Sequence, residues 1–262
     1  MESIERRVTE NFIETMAADA VGLGGAVEQF DGITCIRTPI PLGVFNPAII
    51  VDKAAVNSTT LKKVQSFFEG LKSEWMFILP PSSASISWEL PQHIAVARWT
   101  KEPEMIMFSH SASFRPDPPE LRIRKVRNLD GLVSWNRTCA LGFETGAADF
   151  FDLFNRPAFL SAKGTSWYVG EYSGKPVATS LLYMSNGVAG IYSVSTLPEF
   201  RGRGFGTALT AFAVKEGFSN GCDLASLQAS AVGVPVYFRM GFRFVFDYEC
   251  WTISPKTTVT KK

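Results

Sequence analysis

Residues 201–206 read Arg-Gly-Arg-Gly-Phe-Gly and lie between two segments of different periodicity. The preceding residues 190–194 are apolar and partly β-branched, which predicts a strand. After the loop, apolar residues recur at helical spacing until Asn220 and Gly221, which predict a helix stop. Such a turn places glycine-rich backbone at a helix N-terminus, where the first amides lack internal partners and the helix dipole is positive. With two arginines added, the segment predicts a binding site for phosphate or pyrophosphate.

The spacing within this loop excludes the two commonest phosphate-binding motifs. A Walker loop requires lysine before Ser or Thr at the helix start, and no lysine lies between Gly202 and Lys215. The dinucleotide fingerprint fails because Thr207 and Leu209 occupy the positions of its third glycine. The remaining pattern, Arg-x-x-Gly-x-Gly, resembles the coenzyme A pyrophosphate loop of the GNAT superfamily of N-acetyltransferases.

A second motif downstream strengthens the resemblance. Residues 224–228 predict a short strand, residues 233–240 a short helix with Pro235 in its first turn, and residues 242–246 a further strand. The helix carries the pattern Tyr-x-x-x-Gly-Phe from Tyr237 onward, which is similar to the way GNAT domains end. In that family the tyrosine commonly protonates the departing thiolate, so the resemblance implies this role for Tyr237.

The resemblance also implies acetyl-CoA as the co-substrate. In the family, the strand before the loop splays from the strand after the helix, and the pantetheine arm lies in the gap. The implied contacts to acetyl-CoA come from Val194, Ser195, Thr196, Arg201, Gly202, Arg203, Gly204, Phe205, Gly206, Thr207 and Ser230.

Two positions depart from the family pattern. Ser230 stands where many members carry an asparagine that contacts the cofactor, and Gly233 stands where alanine is common. A serine hydroxyl is shorter and cannot donate through an amide, although it can still bond to the pantetheine side. These departures leave the contacts on the acetyl side open, whereas the pyrophosphate loop is intact.

The general base is not assigned by the sequence. The strand before the loop offers hydroxyl groups but no carboxylate. Glu144, Asp149 and Asp152 lie in the helical region that commonly borders the acceptor cleft in the family. Each could act directly or through water, and each could equally be a solvated surface carboxylate.

The predicted fold class is α+β, with a C-terminal GNAT fold of mixed, mostly antiparallel sheet flanked by helices, and a smaller N-terminal α+β domain. Residues 121–262 show the GNAT order of elements and form the predicted catalytic domain. Residues 116–120 form a proline-rich linker. Residues 1–115 repeat a similar order without the arginine–glycine loop, which predicts either a degenerate GNAT copy that does not hold coenzyme A or an unrelated cap.

Some local predictions concern this N-terminal domain. One helix is predicted to begin near Ile4, and a second to be capped by Thr59 or Thr60. Residues 92–99 are predicted to form a further short helix.

Composition excludes several other classes of function. A net charge of +1, from 26 basic and 25 acidic residues, argues against nucleic-acid or anionic-membrane partners. No apolar run is long enough to span a bilayer, and the first residues do not resemble a signal peptide.

His93 and His110 are too isolated for a zinc site, so no metal is expected. Reduced, widely spaced thiols favour a cytoplasmic protein, and they are Cys35, Cys139, Cys222 and Cys250.

The function predicted from these features is direct transfer of an acetyl group from acetyl-CoA to a primary amine of a small molecule or protein. The expected assembly is a monomer or a homodimer. Two alternatives stay open: a non-catalytic coenzyme A or acyl-CoA sensor or scaffold, and an acyltransferase that uses a longer-chain thioester.

Overall fold

The computed structural model describes residues 3–84, 90, 94, 96–109, 120–144 and 151–255. The chain divides into two compact units, each built from two stretches of sequence. Both are mixed arrangements of helices and a sheet, which confirms the predicted α+β class. The described helices are α1 (Ile4–Leu23), α2 (Ser58–Phe67), α3 (Pro81–Ala84), α4 (Leu129–Phe143), α5 (Pro157–Leu160), α6 (Phe205–Ser219) and α7 (Val234–Met240). The described strands are β1 (Ala26–Phe30), β2 (Ile33–Arg37), β3 (Pro47–Ile50), β4 (Trp75–Leu79), β5 (Val96–Phe108), β6 (Leu121–Lys125), β7 (Thr165–Tyr172), β8 (Lys175–Ser185), β9 (Val188–Thr196), β10 (Leu224–Gln228) and β11 (Arg243–Ile253).

Unit 1 comprises residues 1–18 and 103–246. Its strands are ordered β5-β10-β9-β8-β7-β6. Strands β6 to β9 form an antiparallel meander, β10 runs parallel to β9, and β5 lies antiparallel to β10. The turn from β8 to β9 has φ of 49° at Asn186 and 71° at Gly187, as a type I′ turn requires. The meander therefore brings the end of β9 directly to the loop that precedes α6.

Helices cover both faces of the unit 1 sheet. On one face, the Trp135 indole of α4 donates to the carbonyls of Tyr168 at 2.9 Å and Ser180 at 3.2 Å. The same indole packs edge-on against Trp167, with 4.6 Å between ring centroids. On the other face, Phe212 of α6 packs against the Tyr168 ring at 5.1 Å. These buried aromatic contacts fix α4 and α6 against the strands that carry the loop.

Unit 2 comprises residues 19–102 and 247–262, and it repeats the strand pairing of unit 1. Its order is β1-β2-β3-β4-β11. Strands β1 to β3 form an antiparallel meander, β4 runs parallel to β3 after α2, and β11 lies antiparallel to β4. In unit 1 the closing antiparallel strand precedes the meander in the chain, whereas in unit 2 it follows β4. The same pairing scheme in both units agrees with a degenerate repeat, which stays a prediction.

The start of helix α2 differs chemically from the start of α6. The Asn57 side-chain oxygen accepts hydrogen bonds from the amides of Thr59 and Thr60, both at 3.0 Å. The cap is therefore Asn57, and the prediction of Thr59 or Thr60 as the cap is wrong by two or three residues. Because the asparagine occupies two of the first amides, this helix start is closed to an anion.

Strand β5 replaces part of a predicted helix. Residues from Val96 to Trp99 are extended, so the helix predicted over residues 92–99 is wrong in this part, while residues 92, 93 and 95 lie outside the described residues. A short apolar segment does not distinguish helix from strand by periodicity, and pairing with distant strands decides its conformation.

The two compact units do not follow the sequence-based domain boundaries. Residues 1–18 and 103–115 group with the C-terminal stretch, and residues 247–262 group with the N-terminal one. The proline-rich linker predicted at residues 116–120 lies outside the described residues, apart from Glu120. Within the described part of the chain, no helix is long and apolar enough to cross a membrane.

Candidate functional site

The loop between β9 and α6 twice enters the left-handed region of backbone conformation. Gly202 has a φ of 76° and Gly204 a φ of 80°. A Cβ at Gly202 would meet no atom of the described residues within 4 Å, so glycine is required there for conformation and not for space. Gly204 is the N-cap of α6 and has no side chain to cover the helix start.

Six consecutive amides of this loop, those of residues 202–207, have no acceptor among the described residues. The first amide to bond back along the helix is that of Ala208, which donates to the carbonyl of Gly204 at 2.9 Å. Free N–H groups at the positive end of a helix favour an anionic ligand. The local sequence therefore produces the open amides that a pyrophosphate site requires.

The Arg201 side chain joins the loop to the end of α4. Its guanidinium donates to the carbonyl of Gly142 and to a carboxylate oxygen of Glu144, both at 2.7 Å, and to the carbonyl of Thr196 at 3.2 Å. The side chains of Arg201 and Glu144 are 49% and 58% exposed, so their ion pair is solvent-screened and contributes little to stability. Its effect is geometric, because it holds α4, the end of β9 and the loop together.

The Arg203 side chain lies over two aromatic rings. Its guanidinium carbon is 5.3 Å from the ring centroid of Tyr172 and 5.4 Å from that of Phe200. Cation–π contacts of this kind are worth about 0.5–1 kcal/mol at exposed sites. They keep a permanent positive charge beside the free amides.

Strand β9 separates from β10 before it reaches the loop. The parallel pairing ends where Gly190 faces Ser226. Beyond that point β9 pairs with β8 alone among the described strands, and it carries an irregularity with a φ of 51° at Ser193. Val194 and Thr196 lie in this stretch of β9, which no longer pairs with β10 and borders a gap between the two strands. This is the gap in which the resemblance places the pantetheine arm.

Ser195, one of the predicted contacts, has its side chain engaged inside the protein. It is buried, and its hydroxyl lies 2.9 Å from the Thr179 hydroxyl, which donates to the Ser193 carbonyl at 2.9 Å. A Cβ on Gly142 of α4 would lie 2.7 Å from the Ser195 hydroxyl oxygen. Ser195 therefore supports the end of β9, and its side chain is not available to a ligand.

We expect Gly142→Ala to destabilise unit 1 by about 1–2 kcal/mol, because overpacking against Ser195 exceeds the gain in helix propensity. The new Cβ would also lie 3.2 Å from the Thr196 amide nitrogen, so the end of β9 must move. Thermal melting compared with Leu141→Ala, which truncates an exposed neighbour on the same helix, checks this. Equal melting temperatures for wild type and Gly142→Ala would contradict the tight α4–β9 contact.

Tyr237 lies on α7 and is partly buried against the core of unit 1. Its ring packs edge-on against Phe242 at 5.8 Å between centroids. Burial raises the pKa of the Tyr237 phenol to about 12, and the nearby Thr210 hydroxyl opposes this shift. The phenol is therefore protonated at neutral pH, which is the state that a general acid requires.

The two departures from the family pattern meet at the start of α7. The Ser230 hydroxyl accepts a hydrogen bond from the Gly233 amide at 3.2 Å, so it caps this turn. A Cβ on Gly233 would lie 2.9 Å from the Tyr237 ring, closer than real Cβ contacts come. Glycine instead of alanine thus accommodates the tyrosine in its observed position.

The structure does not bring the candidate bases into the gap. The Glu144 carboxylate pairs with Arg201, and the exposed Asp152 accepts a hydrogen bond from the Asn155 amide at 2.9 Å. Asp149 lies outside the described residues. Sequence reasoning missed a different carboxyl group, that of Glu104 on β5, which is fully buried in unit 1. The only indication of Glu104 in the sequence is its place directly before the apolar run at residues 105–108.

Metal-binding groups do not gather in the described parts of the chain, where no cluster of three or more His, Cys, Asp or Glu side chains could hold an ion. Both histidines that the sequence singled out, His93 and His110, lie outside those parts. The buried free cysteines are Cys35, Cys139, Cys222 and Cys250.

A meander that ends in a loop of free amides, followed by a helix and a parallel strand that splays away, defines an acyltransferase-like fold. The model of the Acetyltransferase (GNAT) family matches residues 129–242. Residues 129–242 are therefore similar to the GNAT family, and the resemblance noted in the sequence is confirmed.

Solved structures with the same fold extend over nearly the whole chain. A GCN5-related N-acetyltransferase from Kribbella flavida is 17% identical and has a TM-score of 0.68, with 93% of this chain and 95% of that chain covered. A tandem GNAT protein from the clavulanic acid biosynthesis pathway is 10% identical, with a TM-score of 0.60 and 93% of each chain covered. A GCN5-related N-acetyltransferase-like protein from Streptococcus suis 89/1591 is 15% identical, with a TM-score of 0.57 and coverage of 94% and 97%. No curated protein matches the sequence.

Proposed function

We propose that the protein is an acetyl-CoA-dependent N-acetyltransferase that transfers the acetyl group directly to a primary amine of a small molecule or a protein. The observation that carries this proposal is the row of free amides at residues 202–207 beside the charge of Arg203. These groups fit a pyrophosphate, and the gap between β9 and β10 fits an extended arm. The closed start of α2 supports a single coenzyme A site, in the domain that carries the loop.

The residues that would act on the thioester lie on either side of this gap. Backbone amides near Val194 and Thr196 would donate to the thioester carbonyl, and amides already fixed in a strand need little reorganisation as charge develops. Tyr237 would protonate the departing thiolate. Acetyl-CoA supplies the activated acyl group, and the protein binds it, orients it and moves protons.

Calorimetric titration of the purified protein with acetyl-CoA, coenzyme A and a longer acyl-CoA tests the proposal. We expect acetyl-CoA and coenzyme A to bind with similar affinity, because the loop contacts the shared pyrophosphate. A marked preference for the longer chain would favour the acyltransferase that uses longer thioesters. Binding without thiol release for any primary amine would favour the sensor or scaffold, and no binding at all would contradict the proposed function.

Replacement of the Tyr237 hydroxyl is expected to slow turnover and to leave binding intact. We expect Tyr237→Phe to lower kcat by roughly 10²-fold or less, because general acids contribute about 10²–10⁴-fold and a thiolate is a fairly good leaving group. The measurement is thiol release at saturating acetyl-CoA. Tyr183→Phe, which removes a phenol hydroxyl from β8, serves as the control. Full activity in Tyr237→Phe would limit that tyrosine to packing.

A further inference from the structure

Glu104 is a fully buried carboxyl group with one unused oxygen. It lies on β5 directly opposite Gln228 of β10. The Gln228 amide donates a hydrogen bond to one carboxyl oxygen of Glu104, Oε2, while Oε1 has no partner among the described residues. A buried polar atom without a partner is costly unless a water or a ligand satisfies it. The open oxygen therefore indicates a place where a polar group can bind.

The face of the sheet that carries Glu104 is the one opposite α6. Met105 and Leu227 belong to the core that packs against α6. Because successive side chains of a strand point to opposite faces, Glu104, Ser226 and Gln228 share the other face. Ser226 is also fully buried, and its hydroxyl is close enough to Glu104 to interact with the carboxyl group. The Glu104 carboxyl group and the Ser226 hydroxyl thus lie together on this face.

These side chains lie where β9 has left β10. Ser226 is the last residue of β10 that pairs with β9, and Gln228 follows it by two positions. On its other edge, Gln228 remains paired with Glu104. Neighbouring strands are about 5 Å apart, so Glu104 is one strand spacing from the gap proposed for the thioester arm. Because β10 lies between Glu104 and the gap, one bridging water would connect the carboxyl group with a ligand in the gap.

Among the described residues, the other side of the gap offers no proton acceptor of comparable character. On β9, the Tyr192 hydroxyl donates a hydrogen bond to the Asn11 side-chain oxygen at 2.8 Å. Glu144 is paired with Arg201, and Asp152 is exposed. Within the described residues of unit 1, Glu104 is the buried carboxyl group that has a free oxygen.

We propose that Glu104 is the proton acceptor for the amine substrate, and that Gln228 orients its carboxylate. This inference rests on the proposed N-acetyltransferase function. The ammonium form of the acceptor passes one N–H proton to the Glu104 carboxylate, and the freed nitrogen lone pair forms the bond to the acetyl carbon. The C–S bond then breaks with its electron pair on sulfur, and Tyr237 supplies the proton of the thiol. The second proton lost from nitrogen replaces the one that Tyr237 gave, so Glu104 ends protonated and returns its proton to solvent.

The electrostatic environment of Glu104 suits this role. Burial raises the pKa of the Glu104 carboxyl to about 8, and the neighbouring Gln228 and Ser226 side chains oppose the shift. The side chains of β10 that face it, Ser226 and Gln228, are neutral, and no neighbouring charge contributes to the shift. A carboxyl group of this kind accepts a proton far better than an ordinary glutamate, so kcat/KM should rise with pH up to about pH 8.

The experiment combines carbon NMR of protein labelled at glutamate Cδ with thiol-release assays that use propylamine as the amine probe. We expect one resonance to titrate near pH 8 in the wild type and to be absent in Glu104→Gln, while Glu120→Gln, an exposed control, retains it. Propylamine added at pH 7 should move this resonance toward the ionised position. In turnover, Glu104→Gln should lose about 10²-fold or more in kcat and the rise with pH, with unchanged acetyl-CoA affinity.

Three results would each overturn the proposal: a Glu104 resonance that titrates at the ordinary glutamate value, a Glu104 resonance that does not respond to the amine, or a Glu104→Gln enzyme with the wild-type pH profile. The NMR measurement requires no turnover. Failure of the wild type to bind acetyl-CoA would therefore reject the proposed function separately, while the Glu104 titration would still decide whether the ammonium form of an amine binds beside this carboxyl group.

Discussion

Replacement of both Arg201 and Arg203 by glutamate is expected to weaken acetyl-CoA binding by roughly 10²–10⁴-fold. Hydrogen bonds to charged groups are worth about 1.5–3 kcal/mol each, so the loss of two is equivalent to this change in affinity. The two replacements change the charge next to the free amides of residues 202–207 by four units, and the new carboxylates would repel a pyrophosphate.

Arg201 and Arg203 should contribute to acetyl-CoA affinity in different ways. Arg203→Glu removes a charge held over Tyr172 and Phe200 and leaves the loop backbone free to keep its shape. Arg201→Glu also removes the hydrogen bonds to α4 and places a second carboxylate beside Glu144. We therefore expect the Arg201 variant to lose affinity partly through disorder of the loop, and the Arg203 variant to lose it through charge alone.

Calorimetry with acetyl-CoA at fixed ionic strength measures this effect. Arg122→Glu combined with Arg127→Glu is the matched control, because both side chains are exposed in unit 1 and the charge change is identical. Both double variants should melt close to the wild type, since surface ion pairs contribute little to stability. Retained affinity in the loop variant, or equal loss in the control, would place the pyrophosphate elsewhere.

The loop itself could be predicted from sequence because its geometry is local. The spacing of the glycines fixes which residues can adopt positive φ, and Gly202 and Gly204 do so. The strand before them and the helix after them follow from periodicity over short windows. The free amides at the start of α6 therefore follow from the local sequence of residues 201–206 alone.

The rest of the site depends on contacts between distant parts of the chain. Arg201 and Glu144 are 57 positions apart, and Gln228 and Glu104 are 124 positions apart. The sequence predicted a strand only from Met105 onward, and the pairing of Glu104 with Gln228 extends that strand to Glu104. Without that pairing, nothing in the sequence distinguishes Glu104 from a surface carboxylate.

The free energy of unfolding of the wild type is expected to fall relative to that of Glu104→Gln as the pH rises from about 5 to about 8. The Glu104 carboxyl is protonated in the folded state up to pH 8, whereas in the unfolded chain it ionises above about pH 4.3. Between these values the folded state binds more protons than the unfolded state, so stability decreases with pH. Three pH units at 1.36 kcal/mol each give a relative loss of about 4 kcal/mol.

Urea unfolding of both proteins at pH 5, 6.5 and 8 measures this loss, with Glu120→Gln as the control that should follow the wild type. At pH 8 Glu104→Gln should be the more stable protein, because an amide carries no cost of ionisation in the core. Parallel pH dependence in wild type and Glu104→Gln would mean that the carboxyl group is solvated, and it would remove the electrostatic basis for Glu104 as the proton acceptor. Because this measurement needs neither acetyl-CoA nor an amine, it examines the carboxyl group independently of catalysis.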